Sequence, residues 1–406
     1  MAGEGIERRD LFRAAGAATI AMTASSYAQV PGANDRMNLG VIGCGQRGLA
    51  VMGAFQENSA VQVAAVCDVY GNRTDAALQK ATRARGFSDH RKLLESGAVD
   101  AVLIATPDHW HGPVTIDALN AGKDVYVEKP LTLHIEEGPE IIKAVRVNNR
   151  VCQVGLQRRS SENTIRARDE FVRAGKLGKI TFARTWYNFN SAHLRQPPEG
   201  TQTQPSNLDW ARFLGPVRWR DWDPKQYFNF RAYLDFGGGQ ITDLFTHLID
   251  MVHLFMNEDM PSAAVASGGI FHYKDGRTAP DTIGVMLDYP GEWTASFEGV
   301  LGPGASEDGI ELRGTEGRLM VGRDYSEFRS PEAGATPVVI KTGESGADAT
   351  TRHVSNFIDC IRSRQRPVAD VLVGHRAALA CHLGNLAYLE KRRVRFDPQH
   401  ERVLPL

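Results

Sequence analysis

Asp243 and His247 stand four residues apart in "GGGQITDLFTH", a spacing that puts both side chains on one face of a helix. An imidazole that titrates near neutrality can take and return an alcohol proton. A carboxylate beside it can orient the ring, bind a substrate hydroxyl, or both. The same pair could give a metal two ligands, but the sequence offers no clear third, and no metal is expected. A helix N-terminal acid followed by a core histidine would leave the same letters. Lys129 closes the run "DVYVEKP". A cation at the carboxyl end of a central strand can hold charge that develops on an oxygen, although a lone lysine at a strand end is ordinarily just solvated.

A second constellation binds rather than reacts. In "VIGCGQRG", Gly43, Gly45 and Gly48 form G-x-G-x-x-G directly after an apolar stretch and at the start of a helical one. The glycines serve a tight turn, close approach of backbone to a pyrophosphate, and close helix-on-strand packing. The helix entrance, with Gln46 and Arg47 in it, offers unpaired N–H groups and a partial positive charge to phosphate. Asp68 ends the next strand about twenty residues on, where an acid meets the adenosine ribose hydroxyls. That acid favours NAD, because a 2′-phosphate would meet like charge; Arg73 is near enough in sequence to accommodate NADP.

Both constellations need rigid elements behind them. From Met37 to Gly155, short apolar runs ("MNLGVIG", "VQVAAVCD", "DAVLIAT", "DVYVEKP", "VCQVG") alternate with helical segments at Leu49–Asn58, Asp75–Arg85, Val114–Ala121 and Ile135–Asn148. The pattern predicts an α/β fold whose first domain, residues 36–156, is a doubly wound parallel Rossmann sheet. Beyond it the texture changes. A helix over Thr164–Ala174 precedes the alternating strand "KITFARTWYNFN" and a Pro/Gln/Thr-rich loop over Gln196–Ser206. An aromatic region and a helix entered through three glycines follow. Strands such as "TIGVMLDYP" and "EWTASFEGV" then lead to helices at Val354–Arg364 and Val373–Lys391. Residues 157–406 therefore read as an α+β domain with one large, mostly antiparallel sheet.

Gross properties narrow the partners. The 406 residues carry a net charge of -1 and 42% hydrophobic residues, which favours neither nucleic acid nor an anionic membrane. Five cysteines, an odd number without paired spacing, read as core fillers rather than a disulfide framework. The N-terminus joins Arg8 and Arg9 to Leu11, Phe12 and Arg13, then an Ala/Thr-rich segment and Ser26-Tyr27-Ala28. It resembles a twin-arginine signal over residues 1–28, so a periplasmic or otherwise exported protein is expected.

The glycine turn, "ATPDHWH", Glu128-Lys129-Pro130 and "DLFTH", taken in that order, resemble the Gfo/Idh/MocA family of oxidoreductases across nearly all of the mature chain. The resemblance implies a carbohydrate enzyme that uses NAD or NADP, and a C-terminal sheet that often mediates oligomerisation, here as a homodimer or homotetramer. It implies that Lys129, with Glu128 beside it, meets the nicotinamide and the substrate hydroxyl. The proline after Lys129 would hold a turn, cis included, that aims it inward. His247 would be the general base and Asp243 its partner. Thr106, Pro107 and His109 would wall the cofactor pocket, with His111 either a helix-start residue or a ligand contact. Gln157, Arg158, Trp186, Tyr187, Asn188, His193 and Arg231 are the substrate candidates, since aromatic faces with amide and guanidinium donors suit a sugar. The Trp/Pro/Gln-rich insertion between Gln196 and Phe230 departs from the simplest members and reads as a lid or an oligomer arm.

An exported enzyme has no dissolved nicotinamide supply, so its cofactor is expected to be bound tightly and restored in each cycle. Hydride transfer between a sugar or polyol hydroxyl and that cofactor is the leading reading. The alternative is NAD-dependent glycoside cleavage through transient oxidation, elimination and re-reduction; retention of Lys129 favours the first. A cofactor-bound sugar-binding protein without catalysis is the third.

Overall fold

Six strands pair side by side in the first part of the chain. The computed structural model describes residues 36–189, 196–302, 304 and 306–405; the Arg8-Arg9 stretch with Ser26-Tyr27-Ala28, and His193, lie outside the described residues. Strands β1 (Met37–Ile42), β2 (Val61–Cys67), β3 (Arg85–Phe87), β4 (Ala101–Ile104), β5 (Asp124–Val127) and β6 (Cys152–Val154) form a parallel sheet in the order β3-β2-β1-β4-β5-β6. Leu39, Val41, Val102, Ile104 and Val125 are wholly buried, as continuous apolar strands covered on both faces must be. The order reverses between β1 and β4, which opens a crevice at their carboxyl ends.

Helix boundaries move from the sequence reading where polar first turns hide the period. The helix after the glycine turn starts at Gln46 and the next spans Gly71–Lys80, so the end of the expected Asp75–Arg85 helix is instead edge strand β3. β3 is three residues long and carries no alternation; its pairing with Ala65–Cys67 defines it. The late helices are Gly346–Ser363 and Val371–Glu390. Ser345 and Asp348 close a capping box on the first, and Asp370 caps the second.

A ten-stranded sheet builds the second half: β7 (Ile180–Phe189), β8 (Ala263–Gly269), β9 (Thr282–Tyr289), β10 (Trp293–Leu301), β11 (Glu307–Gly314), β12 (Arg318–Val321), β13 (Tyr325–Arg329), β14 (Val338–Lys341), β15 (Val394–Asp397) and β16 (Arg402–Val403). The order is β14-β13-β12-β11-β7-β10-β9-β8-β15-β16, and only β7 with β10 runs parallel. Along β9 and β10 burial alternates, with Ile283, Val285, Leu287, Ala295 and Phe297 inward and Met286 and Val300 outward. The inner face packs on the helices Thr246–Met256 and Val371–Glu390.

One apolar core joins the halves. It runs from Val102 and Ile104 in the first sheet through Leu248 and Leu383 to Phe297 and Leu312 in the second. The helix Gly346–Ser363 returns to the first sheet, where Phe357 meets Phe55 edge to face, ring centroids 6.0 Å apart. Arg159 grips buried Asp250 through Nη2 at 2.7 Å and Nε at 3.0 Å. No helix among the described residues is long and apolar enough to cross a membrane.

Arg159→Ala removes the counterion of a carboxylate that has no route to water. It is expected to lower stability by about 3–5 kcal/mol in urea unfolding; a loss below about 1 kcal/mol would show that the fold does not depend on this pair.

Candidate active site

The crevice at the strand ends is a cavity of about 650 Å³ with both constellations on its wall. At one end lies the glycine turn. Gly43 has φ +92°, and a β-carbon there would sit 2.5 Å from the Ala105 carbonyl. A β-carbon on Gly48 would sit 2.0 Å from the Gly43 oxygen, so this glycine packs behind the turn and is off the cavity wall. Gly45 differs. Its β-carbon would meet only Arg73 Nη1, at 3.9 Å, so it borders open space. It also starts the helix Gln46–Gln56 without any side-chain cap, which leaves the first N–H groups for an anion. Asp68 accepts from Cys44 N at 2.8 Å and Tyr70 N at 3.0 Å, and it lines the cavity beside Arg73. Burial pushes the Asp68 carboxyl upward against the pull of Arg73. A cradle of backbone donors, an acid for ribose hydroxyls and room between them fit a dinucleotide.

The other end is built across the seam. Lys129 Nζ donates to Asp243 Oδ1 at 2.6 Å and to the Asp243 carbonyl at 2.5 Å, bridging residues 114 apart in sequence. An ammonium has three protons, so one donor is left for a substrate oxygen. The Lys129–Pro130 peptide is cis. Arg231 Nε shares Asp243 Oδ1 at 3.1 Å, and Arg47 pairs with Glu128 at 2.8 Å behind the lysine. A β-carbon on Gly155 would lie 2.7 Å from Glu128 Oε1, so a glycine there admits that pair.

His247 lines the same end, half-buried, with its Nδ1 buried and without a hydrogen-bond partner. Burial, then the charges of Lys129, Arg158 and Arg47, hold its pKa well below the ordinary histidine value. The ring is thus neutral at neutral pH, the form a base requires. Its relation to Asp243 departs from the expected α-helical spacing. Ile241–Phe245 is a π-helical turn, and the α-helix proper begins at Thr246. The wider turn leaves Asp243 facing Lys129 and Arg231.

Gly43, Gly45, Gln46, Arg47, Asp68, Arg73, Thr106, Pro107, Glu128, Lys129, Gln157, Arg231, Asp243 and His247 all border the cavity. The Gln157 Oε1 is buried and unpartnered, so it offers an acceptor there. His109 is a correction. The Asp108–Trp110 turn rotates it away, its Nε2 bonds the Phe213 carbonyl at 2.7 Å, and its ring packs on Phe213 and Phe236. Burial pulls its pKa down to about 4. Asp108 and His111 take the wall instead. His111 sits between the Pro130 carbonyl at Nδ1 (2.6 Å) and the Thr106 carbonyl at Nε2 (2.9 Å), clipping the two loops together. Asp108 is buried among Arg231, Lys129 and Asp243, and burial raises its pKa. "TPDHWHGP" held both residues, but nothing in it says which letters face inward.

Arg158, Tyr187 and Asn188 are likewise off this wall. Asp308 holds Arg158 at 2.6 Å, Tyr187 accepts from Arg323 at 2.9 Å, and Asn188 bonds Glu307 at 3.1 Å. Trp186 lies under the Arg184 guanidinium, along a groove of the second sheet. Among the described residues, no group of three or more His, Cys, Asp or Glu is placed to hold a metal.

Comparison with known proteins agrees with this fold. Residues 37–156 match the model of an oxidoreductase family with an NAD-binding Rossmann fold, and residues 177–405 match that family's C-terminal alpha/beta domain. An alpha-N-acetylgalactosaminidase of Shewanella oneidensis is 29% identical over 216 residues, 45% of this chain and 46% of that protein. An inositol 2-dehydrogenase of Salmonella typhimurium is 31% identical over 146 residues, 35% of this chain and 43% of that protein. The matches thus span somewhat under half the length of either curated relative. A levoglucosan dehydrogenase solved with NADH and levoglucosan shares the fold, with a TM-score of 0.71, 20% identity, and cover of 89% of this chain and 99% of that one.

Two outcomes check the site. Gly45→Val puts a branched side chain into the cradle and is expected to weaken NADH binding by about a hundredfold or more by fluorescence titration; unchanged affinity would place the dinucleotide elsewhere. Removing the Lys129 cation relieves the penalty on protonating His247, so Lys129→Met should raise its pKa. Imidazole ¹⁵N shifts should show wild-type His247 still neutral at the ordinary histidine pKa and the variant titrating at higher pH; a downward shift or none would contradict the assignment.

Proposed function

Because the chain belongs to the Gfo/Idh/MocA oxidoreductase family, we propose that it oxidises and reduces a neutral sugar or polyol with a retained NAD. The observation that carries this reading is Lys129 and His247 on one cavity wall, beyond the glycine cradle. Gly43, Gly45, Gln46 and Arg47 would hold the pyrophosphate, and Asp68 the ribose hydroxyls. Bound NAD supplies the acceptor for hydride leaving the carbinol carbon. His247 takes the hydroxyl proton, and the free N–H of Lys129 holds the oxygen as it gains alkoxide character. In the reverse direction His247 returns the proton. Arg231 and Lys129 fix the Asp243 carboxylate at this end of the cavity.

Charge supports a neutral substrate. Among the described residues, Arg47 at this end is paired with Glu128, and Lys129 and Arg231 share Asp243. A sugar acid would meet carboxylates already in place. The twin-arginine-like N-terminus supports export, and with it a cofactor restored within each cycle by a second carbohydrate or carbonyl acceptor. Val265, Met286 and Val300, exposed on the second sheet's outer face, support a homo-oligomer. Likeness to the galactosaminidase favours a second reading, glycoside cleavage by transient oxidation, which begins with the same proton and hydride transfers.

The test is a panel of free sugars, polyols and glycosides, followed at 340 nm and by product mass. A keto-sugar or lactone with a reduced partner is the expected result, released aglycone without net oxidation supports cleavage, and silence throughout leaves only a binding protein. His247→Ala and Lys129→Ala should each cut kcat by about 10²-fold or more with NADH still bound, because Arg231 keeps Asp243 paired. Undiminished turnover in both would remove the assigned chemistry.

A further inference from the structure

The insertion after β7 does not lie on the second sheet. Residues 207–236 cross to the first domain and are tied to the loops at the carboxyl ends of β2, β3 and β4. Gly71 N donates to the Asn207 carbonyl at 2.8 Å, and Asp209 N to the Val69 carbonyl at 2.9 Å. The Arg212 Nη1 donates to the Ser88 carbonyl at 2.8 Å, with Nη2 3.5 Å from Asp89. The Phe213 carbonyl accepts from His109 at 2.7 Å and Trp110 at 2.9 Å. Arg73, the cation nearest Asp68 in the cavity, lies over the Tyr227 ring, 4.8 Å from its centroid. The segment also has its own core, in which Trp210, Phe213, Tyr227 and Phe236 are almost wholly buried and the Trp210 and Phe213 rings stack at 5.1 Å. Such packing describes a rigid cover rather than a flap.

Strand carboxyl ends are where a dinucleotide lies in this architecture, and Arg212, Phe213, Phe228 and Asn229 of the insertion border the cavity there. We propose that residues 207–231 are the second wall of the dinucleotide site and the clamp that keeps NAD(H) from leaving. Arg212 pins the wall to the β3 loop, and Tyr227 holds Arg73 in place. Release then requires these ties to break together, which slows dissociation far more than it changes contact with the substrate. The inference rests on the dinucleotide reading of the glycine turn and extends it to residues that the G-x-G-x-x-G pattern does not contain.

The experiment loads the full chain with NADH, chases it with excess NAD⁺ and follows NADH fluorescence. Arg212→Ala and Tyr227→Ala are expected to speed release by about tenfold or more. Arg166→Ala, which breaks only the exposed Arg166–Glu170 pair, serves as control and should match wild type. Release at the wild-type rate from both clamp variants overturns the proposal. Should either variant fail to fold, hydrogen exchange on the wild-type chain decides: NADH should protect amides over 207–213 and 227–231, and unchanged exchange there overturns the clamp. A wild-type chain that binds no NADH contradicts the dinucleotide reading itself, and the clamp with it.

Discussion

The ion pair of Lys129 with Asp243 is the contact on which the site depends. It joins the end of a Rossmann strand to a helix entrance in the other half of the chain, at 2.6 Å and with little solvent on either partner. A buried ammonium is tolerated only where a counterion and hydrogen bonds replace its water. Asp243 supplies both through its carboxylate and its own carbonyl. The lysine is therefore held in one place, with a single donor to spend. Arg231 on the same carboxylate keeps Asp243 aimed even as substrate competes for the lysine.

That arrangement sets the neighbouring chemistry. Burial makes the His247 imidazolium costly, and the fixed cation nearby adds to the cost, so the ring rests as a neutral acceptor for a proton. The continuous core between the sheets holds the two halves still enough for the geometry to persist. Chemistry and packing share one seam.

Much of the fold was legible because it is local. Uninterrupted apolar strands, a glycine turn and an acid at the next strand end announce a parallel sheet with a phosphate cradle, and Gly43, Gly45 and Asp68 border the cavity while Gly48 packs behind it. What was not legible depends on geometry that letters do not carry. His109 and Asp108 are adjacent, and only the rotation of a three-residue turn decides which faces inward. The π-helical turn at Ile241–Phe245 changes the angle between Asp243 and His247 without any mark in composition. The aromatic density of the insertion was plain, but its partners sit more than a hundred residues away in the loops after β2, β3 and β4. Arg158, Tyr187 and Asn188 have the right chemistry for a sugar, yet Asp308, Arg323 and Glu307 engage them away from the cavity.

A crystal structure of the chain with NADH tests the central claim most directly. The pyrophosphate is expected on the Gly43–Arg47 turn, the ribose at Asp68, and the nicotinamide ring beside both the Lys129 ammonium and the His247 imidazole. A nicotinamide lying away from either side chain, or a dinucleotide outside this crevice, would contradict it.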